Sequence, residues 1–126
     1  ENNIVVSCVA DGKGLEFLHP IDLYTIFGNA MDNAIECVKN LQKQEKRQID
    51  VLIHRQHQFL IVQIMNPIEE ELEFEDNLPV TTKHDKAYHG YGLRSIKNSV
   101  KKYNGVFQVK IKDGCFCLKI LFPIKE

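Results

Sequence analysis

The stretch that decides the fold is NAMDNAIE at residues 29–36, in the middle of a segment with helical spacing. Pro20 suits the first turn of a helix, where its missing N–H costs nothing. Apolar residues then recur at intervals typical of a helix, at Tyr24, Phe27, Met31, Ala34, Ile35, Val38 and Leu41. This spacing predicts an amphipathic helix whose apolar stripe faces a core.

Polar residues occupy the other side of the same predicted helix. At about 100° per residue they cluster around Asn29, and they are Thr25, Asn29, Asp32, Asn33 and Glu36. Asparagine is a poor helix former, so two carboxamides one turn apart in mid-helix suggest a ligand-binding role. The amide oxygen is a hard, neutral ligand that suits a magnesium ion bound to substrate phosphates. An ordinary solvated helix face is the alternative interpretation.

A second motif, GYGL at residues 90–93, stands at the beginning of another apolar helical stripe. The stripe consists of Leu93, Ile96, Val100 and Tyr103, and it is followed by Asn104-Gly105, which is typical of a helix end. Glycines let a backbone turn with positive φ, and the free amides at the start of the next helix attract phosphate. We therefore expect a phosphate contact at this helix start, with a plain turn as the alternative.

Composition places the chain among ordinary soluble domains, with 126 residues, 44% of them apolar and 26% charged. A net charge of −1 gives no reason to expect nucleic acid or an anionic membrane as a partner. The four cysteines lack the spacing of a disulfide framework, so we expect buried or half-buried thiols in a reducing compartment. Because the chain begins at Glu1 without a methionine, we expect it to be a fragment of a longer protein.

Strand-like segments at both ends enclose the helices. We predict strands at residues 3–10, 15–17, 49–55, 59–65, 106–112 and 115–122, with a tight hairpin at Asp113-Gly114. Residues 66–89 show no regular period, and so long a stretch in a compact domain is a functional lid or a disordered segment. This order implies a sheet covered on one face by helices.

Both motifs resemble those of the Bergerat-fold ATPases, the superfamily that includes gyrases and sensor histidine kinases. NAMDNAIE resembles their N box, and HGYGLRSI at residues 89–96 resembles the glycine box that closes their ATP lid. The sequence around Gly28 and Thr82-Lys83 is most similar to that of histidine kinases that respond to quorum-sensing peptides. The resemblance implies an α/β two-layer sandwich, with a mixed, mainly antiparallel sheet of about five strands under about three helices. It implies one domain over residues 1–126, with an ATP lid at about residues 67–89.

The resemblance also implies that ATP and Mg²⁺ are bound. Asn33 would be the metal ligand, and Asn29 would contact phosphate or its water. Asn66 stands where many relatives carry an aspartate that accepts from the adenine amino group, which puts adenine selectivity in question. The implied phosphate contacts are Gly90, Gly92 and the amides of Leu93 and Arg94, with His89 as a further glycine-box residue and Lys83 as a lid cation.

The implied reaction is phosphoryl transfer to a histidine rather than ATP hydrolysis. Hydrolysing relatives have a glutamate base at the position of Asn29, and a carboxamide cannot serve as a base. Asp32 would orient the acceptor, unless it is an ordinary exposed helical residue. The acceptor histidine would lie on an upstream dimerisation domain, with a response regulator as the later partner. We therefore expect a cytoplasmic domain of a dimeric, membrane-bound bacterial sensor.

Two other functions fit the same residues. One is an ATP-binding regulatory or interaction module of this fold without histidine kinase activity. The other is a plain α/β binding domain in which the asparagines and glycines are structural.

Overall fold

The computed structural model describes residues 3–43, 46–69, 73–75, 78–80 and 86–124 of the chain. The described helices and strands follow the order β1 (Val5–Ala10), α1 (Pro20–Lys39), β2 (Gln48–Gln56), β3 (Phe59–Pro67), β4 (Glu73–Glu75), β5 (Leu78–Val80), α2 (Lys86–Lys101), β6 (Val106–Lys112) and β7 (Cys115–Pro123). A short 3₁₀ helix, Gly12–Leu15, connects β1 to the segment before α1. None of the described helices is both long enough and apolar enough to cross a bilayer.

Five strands form the main sheet in the order β1-β2-β3-β7-β6. β1 runs parallel to β2, and the other neighbours are antiparallel. The turn between β6 and β7 has φ of 54° at Asp113 and 73° at Gly114, as a two-residue hairpin that follows the sheet twist requires. The predicted α/β sandwich with a mixed, mainly antiparallel five-stranded sheet is therefore confirmed.

The core lies between one face of this sheet and the two α-helices. Alternate residues of β3 and β7 are buried, including Leu60, Val62, Leu118 and Ile120. The intervening residues form the opposite face, which none of the described helices covers. Alternation of this kind is expected for a sheet with one packed face.

The core face of α1 differs from the predicted stripe. Ile26, Ala30 and Val38 are fully buried, whereas Tyr24 is 83% exposed and Ile35 lies at the surface. The helix packs on the sheet and also on α2, so its buried arc is rotated toward the asparagine side. The prediction that the polar set lies wholly opposite the core is therefore wrong.

Two further predictions about local structure are wrong. Residues 15–17 do not form a strand, because Asp11 accepts a hydrogen bond from the Lys13 amide at 3.3 Å and caps the 3₁₀ helix instead. The stretch 66–89 is not uniformly irregular, because β4 and β5 form a small antiparallel hairpin and α2 begins at Lys86. The helix thus starts before the two glycines of GYGL, not after them.

None of the four cysteines forms a disulfide, and three of them are half-buried as predicted, whereas Cys8 is exposed. Cys115 and Cys117 alternate with buried Phe116 and Leu118, so both lie on the uncovered face of the sheet. Partial burial raises the pKa of the Cys117 thiol, and Cys115 adds to the effect.

Candidate functional site

One edge of α1, defined by Asp22, Asn29 and Asn33, faces α2. These residues are spaced by seven and four positions, so they share one side of the helix. Asp22 is bonded to Lys102 and Tyr103, immediately beyond the end of α2, while Asn29 lies against Gly92 within α2. The two helices therefore run antiparallel along this edge.

Gly92 brings the backbone of α2 against the Asn29 side chain. A β-carbon built at Gly92 would lie 3.6 Å from Asn29 Oδ1 and 3.9 Å from Asn29 Cβ. Because glycine has no side chain, nothing of its own separates the α2 backbone from the carboxamide. The two motifs identified in the sequence thus meet at one place in the fold.

The orientation of the Asn29 carboxamide is fixed by its own helix. Its Nδ2 donates a hydrogen bond of 2.8 Å to the carbonyl oxygen of Thr25, one turn earlier. Oδ1 is therefore the atom that faces Gly92. The structure presents a half-buried, neutral oxygen acceptor at the contact between the two helices.

Asn33 is buried one turn further along α1. It is only 7% exposed, and no residue in the described part of the chain forms a hydrogen bond with its carboxamide. Its polar atoms are not among the fully buried side-chain atoms without a partner, so the carboxamide stays accessible to a ligand that the chain itself does not supply. No cluster of three His, Cys, Asp or Glu side chains occurs among the described residues, so a cation here would depend on amide and ligand oxygens.

Asn66, at the end of β3, supplies a buried amide oxygen that lacks a donor among the described residues. It is 1% exposed and continues the row of Leu60, Val62 and Ile64 that faces the helices. Its Nδ2 donates to the Pro67 carbonyl at 2.9 Å, whereas its Oδ1 is buried without a donor among the described residues. The side chain is therefore an acceptor held in a fixed orientation on the helix-covered side of the sheet.

The other residues predicted for the site lie in different environments. Asp32 and Arg94 are exposed, and the Leu93 side chain is in the core at 1% exposure. His89 and Gly90 lie in α2 with only their backbone described, and Lys83 lies outside the described residues. Since α2 begins at Lys86, the amides of Leu93 and Arg94 are inside the helix, where N–H groups bond to carbonyls one turn back. The predicted free amides at a helix start are therefore not present in this conformation.

Sequence reasoning missed a polar cluster formed by His19, Asp22, Lys102 and Tyr103. Lys102 Nζ lies 3.0 Å from Asp22 Oδ1, and the Tyr103 hydroxyl donates to Asp22 Oδ2 at 2.5 Å. The same hydroxyl accepts from the His19 amide at 2.9 Å. An acidic residue in the first turn of a helix ordinarily indicates only a favourable dipole interaction, so the sequence carried no signal for this contact.

The cluster shifts the ionisation of both acidic groups. The hydrogen bond from Tyr103 and the adjacent Lys102 lower the pKa of Asp22. The bond to Asp22 and burial raise the pKa of Tyr103. At neutral pH the cluster therefore holds a charged carboxylate and a protonated phenol.

Solved structures share this fold. The catalytic domain of the histidine kinase ThkA, in one nucleotide-free form, matches with a TM-score of 0.70 and 21% identity over 97% of this chain and 80% of that chain. A second nucleotide-free form gives a TM-score of 0.68 and 18% identity with the same coverage. The Acinetobacter baumannii histidine kinase AdeS matches with a TM-score of 0.61 and 13% identity, over 96% of this chain and 55% of that chain.

Among proteins with curated sequences, none matches this chain. The family comparison is specific, however, because residues 18–123 match the GHKL domain family. That range contains both helices and four of the five strands of the main sheet. It also contains all the candidate site residues, and the chain therefore belongs to the GHKL domain family.

Proposed function

We propose that this chain is the ATP-binding catalytic domain of a sensor histidine kinase. It would transfer the γ-phosphoryl group of ATP to a histidine on an upstream dimerisation domain. The observation that carries the proposal is the contact between Asn29 and Gly92, which joins the polar edge of α1 to a glycine-bearing turn of α2. Membership of the GHKL family and the fold shared with histidine kinase catalytic domains support it.

Asn66 is proposed to recognise adenine. Its Nδ2 is committed to Pro67, so only Oδ1 is available, and an acceptor pairs with the amino group of adenine but not with the carbonyl of guanine. The locked orientation thus favours adenine even though the carboxylate of many relatives is replaced by an uncharged amide.

Asn33 and Asn29 are proposed to hold the charged end of the nucleotide. When bound, ATP supplies the phosphoryl group and Mg²⁺ neutralises the phosphate charge. Asn33 is the proposed metal ligand, because its buried carboxamide lacks a partner in the described chain. Asn29 would contact a phosphate or a metal-bound water through Oδ1.

The glycine-bearing turn of α2 is the proposed phosphate-binding backbone. Within a helix, Gly90 and Gly92 are each less favourable than alanine by about 1 kcal/mol, so this turn is the part of α2 that opens most readily. Opening would release the amides of Leu93 and Arg94 toward an anion. His89 and Lys83 are assigned to the lid side of the same site, with Lys83 supplying a cation.

Transfer to a neutral imidazole needs positioning more than a base, because the attacking nitrogen already carries a lone pair. Asn29 stands where a hydrolase would need its base, so hydrolysis by water is disfavoured. Exposed Asp32 would orient the incoming histidine. A response regulator would receive the phosphoryl group, and the parent would be a dimeric bacterial sensor bound to the membrane and responsive to a quorum-sensing peptide.

Calorimetric titration with ATP and MgCl₂ tests nucleotide binding. Asn33→Ala should reduce the affinity for ATP·Mg²⁺ by roughly tenfold or more, because it removes a ligand to a charged group. Asn40→Ala is the matched control, since Asn40 is an exposed asparagine just beyond the end of α1 and its side chain bonds only to the Glu36 carbonyl among the described residues. Absence of binding heat from the folded wild-type chain would remove the proposal.

Phosphotransfer requires the parent's upstream dimerisation domain. The joined protein, incubated with radiolabelled ATP, should acquire phosphate that is labile in acid and stable in base, as expected for phosphohistidine. The Asn33→Ala variant should acquire much less. Tight ATP binding without any phosphohistidine would instead identify a regulatory module of the same fold.

A further inference from the structure

The start of α1 and the end of α2 are joined by a polar clamp, consisting of Asp22, Lys102, Tyr103 and the His19 amide. Both carboxylate oxygens of Asp22 are used, Oδ1 by Lys102 at 3.0 Å and Oδ2 by Tyr103 at 2.5 Å. Asp22 is 6% exposed whereas the Lys102 side chain is 63% exposed, so water competes more strongly for the lysine bond than for the tyrosine bond. The clamp therefore joins two chain segments whose bonded residues are 80 and 81 positions apart in sequence.

Aromatic packing holds the tyrosine of the clamp in one position. The Tyr103 ring meets Phe17 and Phe122 edge to face, with ring centroids 5.8 Å and 6.0 Å apart. Phe17 and Phe122 also meet edge to face at 5.2 Å. Because Phe122 belongs to β7, the end of α2 is tied to the sheet as well as to α1.

The clamp and the candidate site lie on the same helix edge. Asp22 precedes Asn29 by two helical turns, which corresponds to about 10 Å along α1. The antiparallel direction of the helices places Gly92, which precedes Lys102 in the chain, beside Asn29. A change in helix separation at Asp22 would therefore be transmitted to the Asn29–Gly92 contact.

The residues at the Asn29–Gly92 contact cannot compensate for such a change in helix separation. Gly92 has no side chain that could adopt another rotamer, and Asn29 Nδ2 is bonded to Thr25 in its own helix. Among the described residues, no hydrogen bond joins Asn29 to α2. The distance between the carboxamide and the glycine backbone is therefore set elsewhere along the helix pair.

We infer that Asp22 is a positioning residue, which through Tyr103 and Lys102 sets the spacing of α1 and α2 at the phosphate-binding half of the nucleotide site. The identity of the ligand in this inference rests on the proposed function, whereas the geometry of the helix pair does not. The proposed adenine contact, Asn66, lies on β3 rather than on either helix, and its Nδ2 is bonded to Pro67 and not to the clamp. Loss of the clamp should therefore weaken binding of the triphosphate and leave binding of adenosine unchanged.

The test measures dissociation constants for ATP·Mg²⁺ and for adenosine, by calorimetry well below the melting temperature of each variant. Tyr103→Phe removes one hydroxyl and keeps the ring packing, and Asp22→Asn keeps an acceptor but removes the charge. Each should weaken ATP·Mg²⁺ roughly three- to tenfold with adenosine unchanged. Lys39→Gln is the control, because Lys39 pairs with Glu36 within α1 at 3.1 Å.

Equal weakening of both ligands, or of neither, would overturn the inference. If Asp22→Asn does not fold, the milder Tyr103→Phe variant gives the answer. A second readout is independent of any nucleotide, namely the amide resonances of Asn29 and Gly92 in the ¹H–¹⁵N spectrum. They should shift in Tyr103→Phe but not in Lys39→Gln, and unchanged resonances would also overturn the inference. A wild-type chain that fails to bind ATP but shows these shifts would instead count against the proposed function.

Discussion

The Asn66 side chain donates from Nδ2 to the Pro67 carbonyl at 2.9 Å, and this bond leaves Oδ1 as a buried acceptor without a donor among the described residues. A local contact between neighbouring residues thus determines which atom of the amide faces the interior. An acceptor of this kind does not ionise, so its preference for an amino group should persist across the neutral pH range.

Replacing Asn66 with leucine should weaken adenine recognition and have little effect on the stability of the fold. The change removes one bond and one unsatisfied oxygen, so the free energy of unfolding should change by less than about 1 kcal/mol in either direction. The affinity for ATP should fall by about three- to tenfold, and the preference for ATP over GTP should disappear. Calorimetry with both nucleotides measures this, and an intact preference for ATP would show that adenine is recognised elsewhere.

Replacing Gly92 with alanine should increase stability but weaken binding. The added β-carbon would make ordinary contact with Asn29 at 3.6 Å, and alanine favours a helix by about 1 kcal/mol relative to glycine. It would also fill space between the carboxamide and the α2 backbone and hold that turn closed. ATP·Mg²⁺ binding should therefore weaken while the melting temperature rises.

Gly28→Ala is the control for that experiment. Gly28 lies in α1, where the nearest side chain to an added β-carbon in the described part of the fold would be the Tyr24 ring, at 3.7 Å. It should give a similar gain in melting temperature without a change in ATP affinity. If Gly92→Ala also left the affinity unchanged, Gly92 would have no role beyond the helix.

The side chain of Leu93 should matter for stability, whereas that of its neighbour Arg94 should not. Leu93→Ala would leave a cavity under α2 and should lower the free energy of unfolding by about 2–5 kcal/mol. Arg94→Ala, at an exposed position, should change it by less than about 0.5 kcal/mol. Urea denaturation monitored by circular dichroism measures both values, and similar values would contradict the placement of Leu93 in the core.

Tyr103→Phe should have a stability cost that depends on pH. The pKa of Asp22 is lowered from its ordinary 3.8 by Tyr103 and Lys102, so its contribution is full above that value and is lost as the pH falls through the lower folded pKa. The pKa of Tyr103 is raised from its ordinary 10.0, so its contribution is full below that value and is lost as the pH rises through the higher folded pKa. The stability difference from wild type should therefore be constant near neutrality and narrow at both extremes.

Urea titrations at about pH 3, 7 and 11 measure that dependence. Tyr24→Phe is the matched control, because Tyr24 is 83% exposed, and its effect should be small at every pH. If the effect of Tyr103→Phe did not vary with pH, the contribution of the hydroxyl to the free energy of unfolding would be independent of the charge of Asp22.

Features with a local cause could be predicted from the sequence. The start of α1 depends on Pro20 and its neighbour His19, whose Nδ1 accepts from the Ile21 amide at 3.2 Å. The β6–β7 turn depends on two residues that tolerate positive φ. Such signals lie within a few positions of the structure they determine, which is why the predictions of the helix start and of the turn were correct.

Features that depend on distant packing could not be predicted. Asn33 was expected on a polar helix face opposite the core, but it is only 7% exposed, on a helix that packs against both the sheet and α2. The Asp22 contacts join residues from opposite ends of the fold, and no spacing in either segment indicates them. The proximity of Asn29 and Gly92 was expected from the family resemblance, not from the pattern of either helix.

The position of β1 in the sheet has a consequence for the order in which the domain forms and opens. All six of its residues are exposed, and among the described strands it pairs only with β2, through a parallel register that requires the whole α1 crossover. The β2–β3 and β6–β7 hairpins close over a few residues, so they should assemble early, and β1 should join late. Native-state hydrogen exchange should accordingly find β1 to be the least protected strand of the sheet, released by fluctuations that leave the four antiparallel strands intact.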